Sequence, residues 1–430
     1  MRIVKNNKKL LFAVLLLITC IVVSVFWYNH NRQIRRQEKI DFKARVLQSN
    51  KPLTSKIGEL VWPWNAEYKI DKSSGKKQID ICAEMGFKYV KIPLYMNYMV
   101  SNSGTLKNDN FEDLLRYARK KGMTPIVRLW FTGVGKYQNK KFLQTGKQMA
   151  KTVIDKYANE NIVWESINEP NQPVSWFTQD TATNLEWAEF DEYVGQRLKA
   201  ENKYAVYIEG DLSGTTDESV GFLETAISHG YFKYADAISN HPYQKQTNAF
   251  NGQPENALNN NEISRYTDVL KRYNYSELPL TTSEVGYSTE ETWAGKWSQR
   301  DQANYIARQI FVLDMQHQPL IVLLALSDNQ TGEGDKGWGL LKGTKYNDQV
   351  YKPSGVLVRN LMSQIKGYVY KKRLTTQKGT GSSFVLLYSK GVHKKMVYWS
   401  TVTQQTVKCH VKKQRYILDA TETPQIVNVN

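Results

Sequence analysis

The chain has 430 residues, 41% hydrophobic and 23% charged, with three cysteines at Cys20, Cys82 and Cys409. That composition excludes a disordered chain, a collagen-like repeat and a disulfide-stapled miniature. The net charge of +17 sits at the two ends: residues 1–50 hold ten Lys and Arg against two acids, residues 366–430 hold twelve against two, and the stretch between is near neutral. A nucleic-acid enzyme would carry basic charge around its active centre, so that class is disfavoured. Basic ends suit an anionic membrane surface or an anionic wall polymer, and for the C-terminal part a plain solvated surface serves as well. Aromatic residues reach 12%, a share that fits either rings stacked on flat ligands or a large core.

In chain order, the first element is a nearly unbroken apolar run from Leu10 to Tyr28, about the length that spans a bilayer. Lys5, Lys8 and Lys9 precede it, and Arg32, Arg35 and Arg36 follow it. This order predicts a short cytoplasmic basic segment (1–9), a transmembrane signal anchor (10–28) and a basic stalk (29–52), with the rest of the chain extracytoplasmic. Cleavage after Tyr28 would instead give a secreted protein. Leu17-Ile18-Thr19-Cys20 loosely resembles a lipidation site, but the apolar residues after Cys20 argue against that use.

From about 55 to 363, short apolar runs alternate with amphipathic stretches. The expected strands are Ile57–Trp62, Tyr89–Leu94, Thr124–Trp130, Ile162–Asn168, Ala205–Glu209, Ala237–Asn240, Leu280–Glu284 and Leu320–Leu326. Asn110–Lys121 illustrates the helices between them. Asn110 can cap it, acids sit in its first turn, and Phe111, Leu114, Leu115 and Ala118 line one face. Eight strands with crossover helices over some three hundred residues predict an α/β fold, a (β/α)₈ TIM barrel over 53–365. After residue 366 the texture changes to short β-like runs without helices: Phe384–Tyr388, Met396–Trp399, Thr406–Val411 and Arg415–Leu418. These predict a small β-sandwich-like accessory domain over 366–430.

Strand four ends in Ile167-Asn168-Glu169-Pro170, and strand seven in Ser283-Glu284-Val285-Gly286. Functional residues of such barrels lie at the C-terminal ends of strands. Strands four and seven are nearly opposite, so two carboxylates would face each other across the central pit. Cleavage of a glycosidic bond needs that pair. One carboxyl protonates the leaving oxygen and the other attacks the anomeric carbon, the two being about 5–5.5 Å apart when configuration is retained.

The two tetrapeptides resemble the paired signatures of clan A glycoside hydrolases, the cellulase and β-xylosidase superfamily, with families 5 and 39 the nearest. The resemblance covers about 55 to 363, and Thr421-Glu422-Thr423-Pro424 is similar to the end of β modules attached to such barrels. It implies that Glu169 is the acid/base and Glu284 the nucleophile. It implies that Asn168 bonds the sugar 2-hydroxyl, that His241 contacts substrate, and that Tyr243 supports the nucleophile. The clan's usual Trp at the end of strand eight is absent: the chain reads Ala325-Leu326-Ser327-Asp328 there, and Trp338, in a later Gly-Trp-Gly segment, is the candidate replacement.

Trp130 and Trp176 are further candidate sugar platforms. Trp62 and Trp64 also sit at a strand end or top loop, where plain packing is the alternative use. Glu209 and Asp211, at the end of strand five, are candidate sugar ligands. Glu165 is expected to face the barrel–helix layer or to pair with a base, and Arg128 to orient Glu284 or neutralise a core acid. Six histidines without an H-x-H or H-E-x-x-H cluster give no metal centre, and the absence of a phosphate loop or a G-x-S-x-G elbow points away from nucleotide and serine-nucleophile chemistry. The expected function is a retaining, cofactor-free glycosidase acting on an envelope or extracellular polysaccharide or oligosaccharide. A transglycosylase and a noncatalytic carbohydrate binder on the same barrel are the rival readings.

Overall fold

The computed structural model describes residues 2–65, 67, 69–101, 103–107, 110–130, 140–165, 167–172, 185–247, 251–259, 261–328, 336–343, 350–377 and 382–429. The chain divides into two compact units, Met1–Arg45 and Val46–Asn430. The first unit belongs to one continuous helix, Arg2–Leu47. Leu16, Leu17, Ile18, Ile21, Val22, Val23 and Val25 to Tyr28 are exposed along it. Among the described residues no helix is long and apolar enough to cross a membrane. The side chains of residues 1–15, which include the start of the apolar run, lie outside those described.

In the second unit eight strands close a barrel: β1 (Ile57–Leu60), β2 (Tyr89–Tyr95), β3 (Thr124–Trp130), β4 (Val163–Glu165), β5 (Val206–Ser213), β6 (Ala237–His241), β7 (Leu280–Val285) and β8 (Ile321–Leu323). Neighbours pair in parallel and in sequence order, and β1 closes on β8 through Ile57 opposite Ile321. Helices cover the outside and side chains fill the inside, so all seven residues of β2 are buried. This two-sided burial is why the strands read as continuous apolar runs rather than alternations.

The helices follow their sequence signals. Asn110–Lys120 buries Phe111, Leu114, Leu115 and Ala118, with Glu112 and Asp113 in its first turn and Arg119 and Lys120 in its last. That charge order complements the helix dipole. Asp71 caps Lys72–Glu84 by accepting from Ser74 N at 3.0 Å. Ser298 caps Gln299–Met315 in the same way through Asp301 N at 3.1 Å.

Strand five is longer than its apolar run. It continues through Glu209-Gly210-Asp211-Leu212-Ser213, with an irregular register against β6 between Glu209 and Leu212. Gly210 has φ +105°, and a Cβ there would lie 2.9 Å from Ser239 O, so only glycine fits the bulge. Strand four is described over Val163–Glu165, and Ile167 and Asn168, which the expected strand included, are not in the sheet.

The C-terminal module has seven strands: β9 (Val369–Arg373), β10 (Thr376–Gln377), β11 (Ser383–Lys390), β12 (His393–Ser400), β13 (Gln405–Val411), β14 (Gln414–Ala420) and β15 (Gln425–Val429). They form a four-stranded sheet in the order β15-β12-β11-β9 and a three-stranded sheet in the order β10-β13-β14. Val385, Leu387 and Met396 from the first sheet meet Val407, Cys409, Leu418 and Ala420 from the second in a small core. The other face of the larger sheet lies on the barrel. Trp399 stacks on Phe311 at 6.0 Å and donates through Nε1 to Glu255 at 2.7 Å, and the Tyr388 hydroxyl donates to Asp314 at 2.8 Å. Covered in this way, the helix Gln299–Met315 is buried continuously from Gln302 to Asp314.

Candidate active site

Glu169 follows β4 and Glu284 lies near the end of β7. Glu169 has φ +46°, a left-handed backbone that a side-chain-bearing residue adopts only when its surroundings hold it. Its N–H donates to Asp211 O at 3.0 Å, and its own carbonyl accepts from Gln172 N at 3.0 Å. Asp211, which provides the first of these bonds, is itself left-handed at φ +44°. The bulge in β5 therefore fixes the turn that presents Glu169.

Glu284 is held from two sides. Its Oε1 accepts from the Tyr243 hydroxyl at 2.9 Å, and its Oε2 from Arg128 Nη1 at 3.1 Å. Arg128 Nη1 also donates to Asn168 Oδ1, and the guanidinium lies 4.4 Å from the Trp130 ring centre. Burial opposes the charge on Glu284. His241, Arg128, Lys91 and the Tyr243 hydrogen bond outweigh it and hold the carboxyl at about 2. Gly286 completes the strand end: a Cβ there would sit 2.2 Å from Leu324 O, so the glycine of the Ser-Glu-Val-Gly signature is required by the approach of β8.

His241 joins the two acids. Its Nδ1 is 2.8 Å from Glu169 Oε1 and 4.0 Å from Glu284 Oε1. Nε2 is 3.1 Å from Ser283 Oγ, and Ser283 Oγ is 2.5 Å from Asp211 Oδ1. An ionised carboxylate only accepts, so the Ser283 hydroxyl must donate to Asp211 and Nε2 must donate to Ser283. The ring hydrogen is thereby assigned to Nε2, and Nδ1 shares one proton with Glu169. Ser239 Oγ donates a second bond to Asp211 Oδ1 at 2.5 Å. Burial disfavours a charged imidazole, yet the charges of Glu284 and Glu169, with the bond from Glu169, raise the His241 pKa above its ordinary value.

One nitrogen of His241 and one oxygen of each glutamate lie within 4.8 Å of one another. This is the one group of three or more metal-type side chains among the described residues. The Arg128 guanidinium already balances Glu284, and both imidazole nitrogens are engaged, so a cation would meet like charge and would have to displace two hydrogen bonds.

Beneath the site lies a buried ion cluster. Lys91 Nζ is 2.5 Å from Glu165 Oε2, 3.9 Å from Asp211 Oδ2, and donates to Ser283 O at 2.9 Å. Burial, then the Asp211 charge, push the Glu165 carboxyl up to about 7 against the pull of Lys91 and Arg128. Glu165 thus pairs with a base inside the barrel and does not face the helix layer. Asp211 is fully buried as a support, and Glu209 is 1% exposed. Neither is placed to bind sugar.

The aromatic candidates separate. Trp130 is half-buried and packs edge-on against Trp62 at 6.4 Å and tilted on Tyr95 at 5.3 Å. Trp64 is buried and donates to Pro93 O at 2.8 Å. Trp338 is only 2% exposed and meets the edge of Tyr243 at 5.4 Å. It backs Tyr243 and offers no open platform. Trp176 lies outside the described residues. The exposed ring near Glu284 is Trp293, 58% exposed and 5.3 Å from Tyr243. The sequence reading missed it because it lies in a loop with no periodicity. Ser283 was legible as part of a signature, but its role as an acceptor for His241 was not.

Residues 47–316 match the family model described as cellulase (glycosyl hydrolase family 5). The chain belongs to glycosyl hydrolase family 5. It is therefore a glycosidase, built on the clan A barrel. No curated protein matches the sequence. Among solved structures it is similar to a family 39 glycoside hydrolase from the gut symbiont Bacteroides cellulosilyticus WH2, with 17% identity and a TM-score of 0.65 over 89% of this chain and 82% of that one. A monomeric β-xylosidase from Caulobacter crescentus CB15 gives 14% identity and a TM-score of 0.59 over 83% and 77%. A broad-specificity endoglucanase of family 5 from Clostridium acetobutylicum gives 15% identity and a TM-score of 0.51 over 71% and 96%. These identities speak for the shared fold.

Proposed function

We propose that this family 5 enzyme hydrolyses its glycoside with retention of configuration, Glu284 attacking the anomeric carbon and Glu169 serving first as acid and then as base. The observation that carries the reading is the spacing of the two acids, whose nearest oxygens, with His241 Nδ1, fall within 4.8 Å. A retaining pair stands about 5–5.5 Å apart, and an inverting pair needs about 6.5–9.5 Å to admit water. The electrostatics agree. Glu284, held at about 2, is the charged nucleophile at any working pH, and Tyr243 and Arg128 aim its two oxygens.

In the first step Glu169 passes its proton to the leaving oxygen as Glu284 forms an ester to the sugar. The ester removes the Glu284 charge. Glu169, now a carboxylate beside the raised His241, takes a proton from water as that water attacks the anomeric carbon and releases Glu284 as a carboxylate. Asn168, its oxygen occupied by Arg128, presents its amide N–H groups to the sugar 2-hydroxyl. Tyr243, Trp293 and Trp130 supply the aromatic surroundings of a sugar ring. The substrate is a poly- or oligosaccharide, a class that suits the structural neighbour solved with cellotetraose, a family 5 lichenase from Caldicellulosiruptor sp. F32. The enzyme works outside the cell, tethered through Leu10–Tyr28. The length of that run, its flanking basic residues and the exposed apolar side chains between Leu16 and Tyr28 support the tether.

The test is a screen of glucans, xylans and uronate-bearing polymers with the full chain and two variants. Glu284→Gln should abolish turnover, and Glu169→Gln should cost about 10²–10⁴ in kcat. A 2-deoxy-2-fluoro glycoside of the active sugar should add its glycosyl mass to Glu284, and the first product should keep the anomeric configuration of the substrate. An inverted product, or full activity in Glu284→Gln, would refute the assignment.

A further inference from the structure

We propose that the outer face of the C-terminal module is a binding site for the carboxylate or phosphate groups of an acidic polysaccharide, separate from the catalytic site. The chain leaves β9, the edge of the four-stranded sheet, and enters β10, the edge of the three-stranded one. A cleft of about 330 Å³ opens at that crossing, lined by Lys372, Arg373, Leu374, Thr375, Thr376 and His410. A lysine, an imidazole and threonine hydroxyls are among the groups that line it, which is donor chemistry for an oxyanion.

The cleft continues onto a basic face. In β13 the residues Val407, Cys409 and Val411 point into the module core, so Lys408 and His410 point out. Register places His410 opposite Arg415 and Lys408 opposite the exposed Ile417 of β14. Lys412 and Lys413 occupy the turn between the two strands. Among the described residues Lys372, Arg373, Lys408, His410 and Arg415 form no ion pair with an acid. Lysine on an edge strand has a simpler use, since it discourages edge-to-edge pairing, and that accounts for β9. It does not account for β13, the central strand of its sheet. Basic residues on neighbouring strands of one face repel, so this arrangement costs stability unless an anion relieves it.

Arg373 stands opposite Leu386, and its guanidinium lies 3.8 Å from the Phe384 ring centre, on the face of the larger sheet that meets the barrel. The donors offered to the outer face are therefore Lys372, Lys408, His410 and Arg415. A polysaccharide is the occupant favoured over nucleic acid because the face carries an exposed aliphatic residue, Ile417, and among the described residues no exposed Phe, Tyr or Trp for base stacking. The module is also packed on a glycosidase barrel through Trp399 and Tyr388, so a polymer held there stays near the enzyme.

Binding is tested apart from catalysis, in the full chain carrying Glu284→Gln. Titration with polygalacturonate and with poly(glycerol phosphate) distinguishes the carboxylate and phosphate sources, with neutral dextran and duplex DNA as comparisons. At least one of the two anionic polymers should bind, and more weakly as salt rises. The triple variant Lys372→Glu, Lys408→Glu, Arg415→Glu should weaken that binding at least about tenfold without lowering the melting temperature. If the triple variant melts early, Lys408→Gln with His410→Gln serves in its place. Binding untouched by charge reversal, no binding of either anionic polymer, or equal binding of DNA would overturn the proposal.

Discussion

At the residue scale the site turns on one shared proton. The side chains of Asp211 and Ser283 reach the Glu169 carboxyl only through His241, so they are positioning residues. Removing the Asp211 charge takes away one of the anions that raise the His241 pKa. Asp211→Asn should therefore move the basic limb of the pH–rate profile to lower pH. Ser283→Ala removes the acceptor that assigns the ring hydrogen to Nε2, and kcat should fall about tenfold to a hundredfold with KM little changed, inside the share that acid–base catalysis supplies. A profile that keeps its limbs in Asp211→Asn would assign Asp211 to packing alone. Glu284 behaves in the opposite sense. Its folded pKa lies below the ordinary value of 4.5, so its charge contributes stability that is present above pH 4.5 and lost as pH falls toward 2. The melting difference between the wild type and Glu284→Gln should shrink across that window.

At the element scale the interior of β2, β4 and β5 carries a buried base between two acids. Removing one partner of a buried pair typically costs about 3–5 kcal/mol, because the other charge stays behind. Lys91→Met should show a loss of that order in denaturant melts at pH 8. The loss should be smaller at pH 5, where Glu165, already at about 7 beside Lys91, can take up a proton. A cost independent of pH would mean that the lysine acts through packing. Much of this level was readable in advance. The apolar runs located all eight strands because burial on both faces leaves a continuous trace, and the two acid signatures fall at the ends of β4 and β7. What escaped was the extension of β5, since Glu209-Gly210-Asp211 is polar and reads as a loop until Ser239 and Ser283 are seen to satisfy it. Trp338 was misjudged as a platform because burial is a property of the assembled loop, and Trp293 was missed for the same reason.

At the scale of the whole molecule, barrel and module share the helix Gln299–Met315. Lys56 and Tyr388 both reach Asp314, at 2.6 and 2.8 Å, from the barrel and from the module. Calorimetry of the second unit should therefore show one transition for both parts. Trp399→Ala should cost about 3–5 kcal/mol, as loss of a buried large aromatic side chain usually does, and should lower that single transition without splitting it. Two resolved transitions would mean that the module folds independently. The change of texture revealed this module and its packing on the barrel was expected, but the residues that make the contact were not legible, because β9, β10 and β15 are short and the residues that grip the barrel alternate with those of the module's own core.

The Arg128 guanidinium braces Glu284, the Asn168 amide and the ring of Trp130, so any replacement disturbs three neighbours together. New specificities should therefore arise at the pit's periphery, at rings such as Trp293 and Tyr98 that stand partly in solvent, while the floor is inherited unaltered.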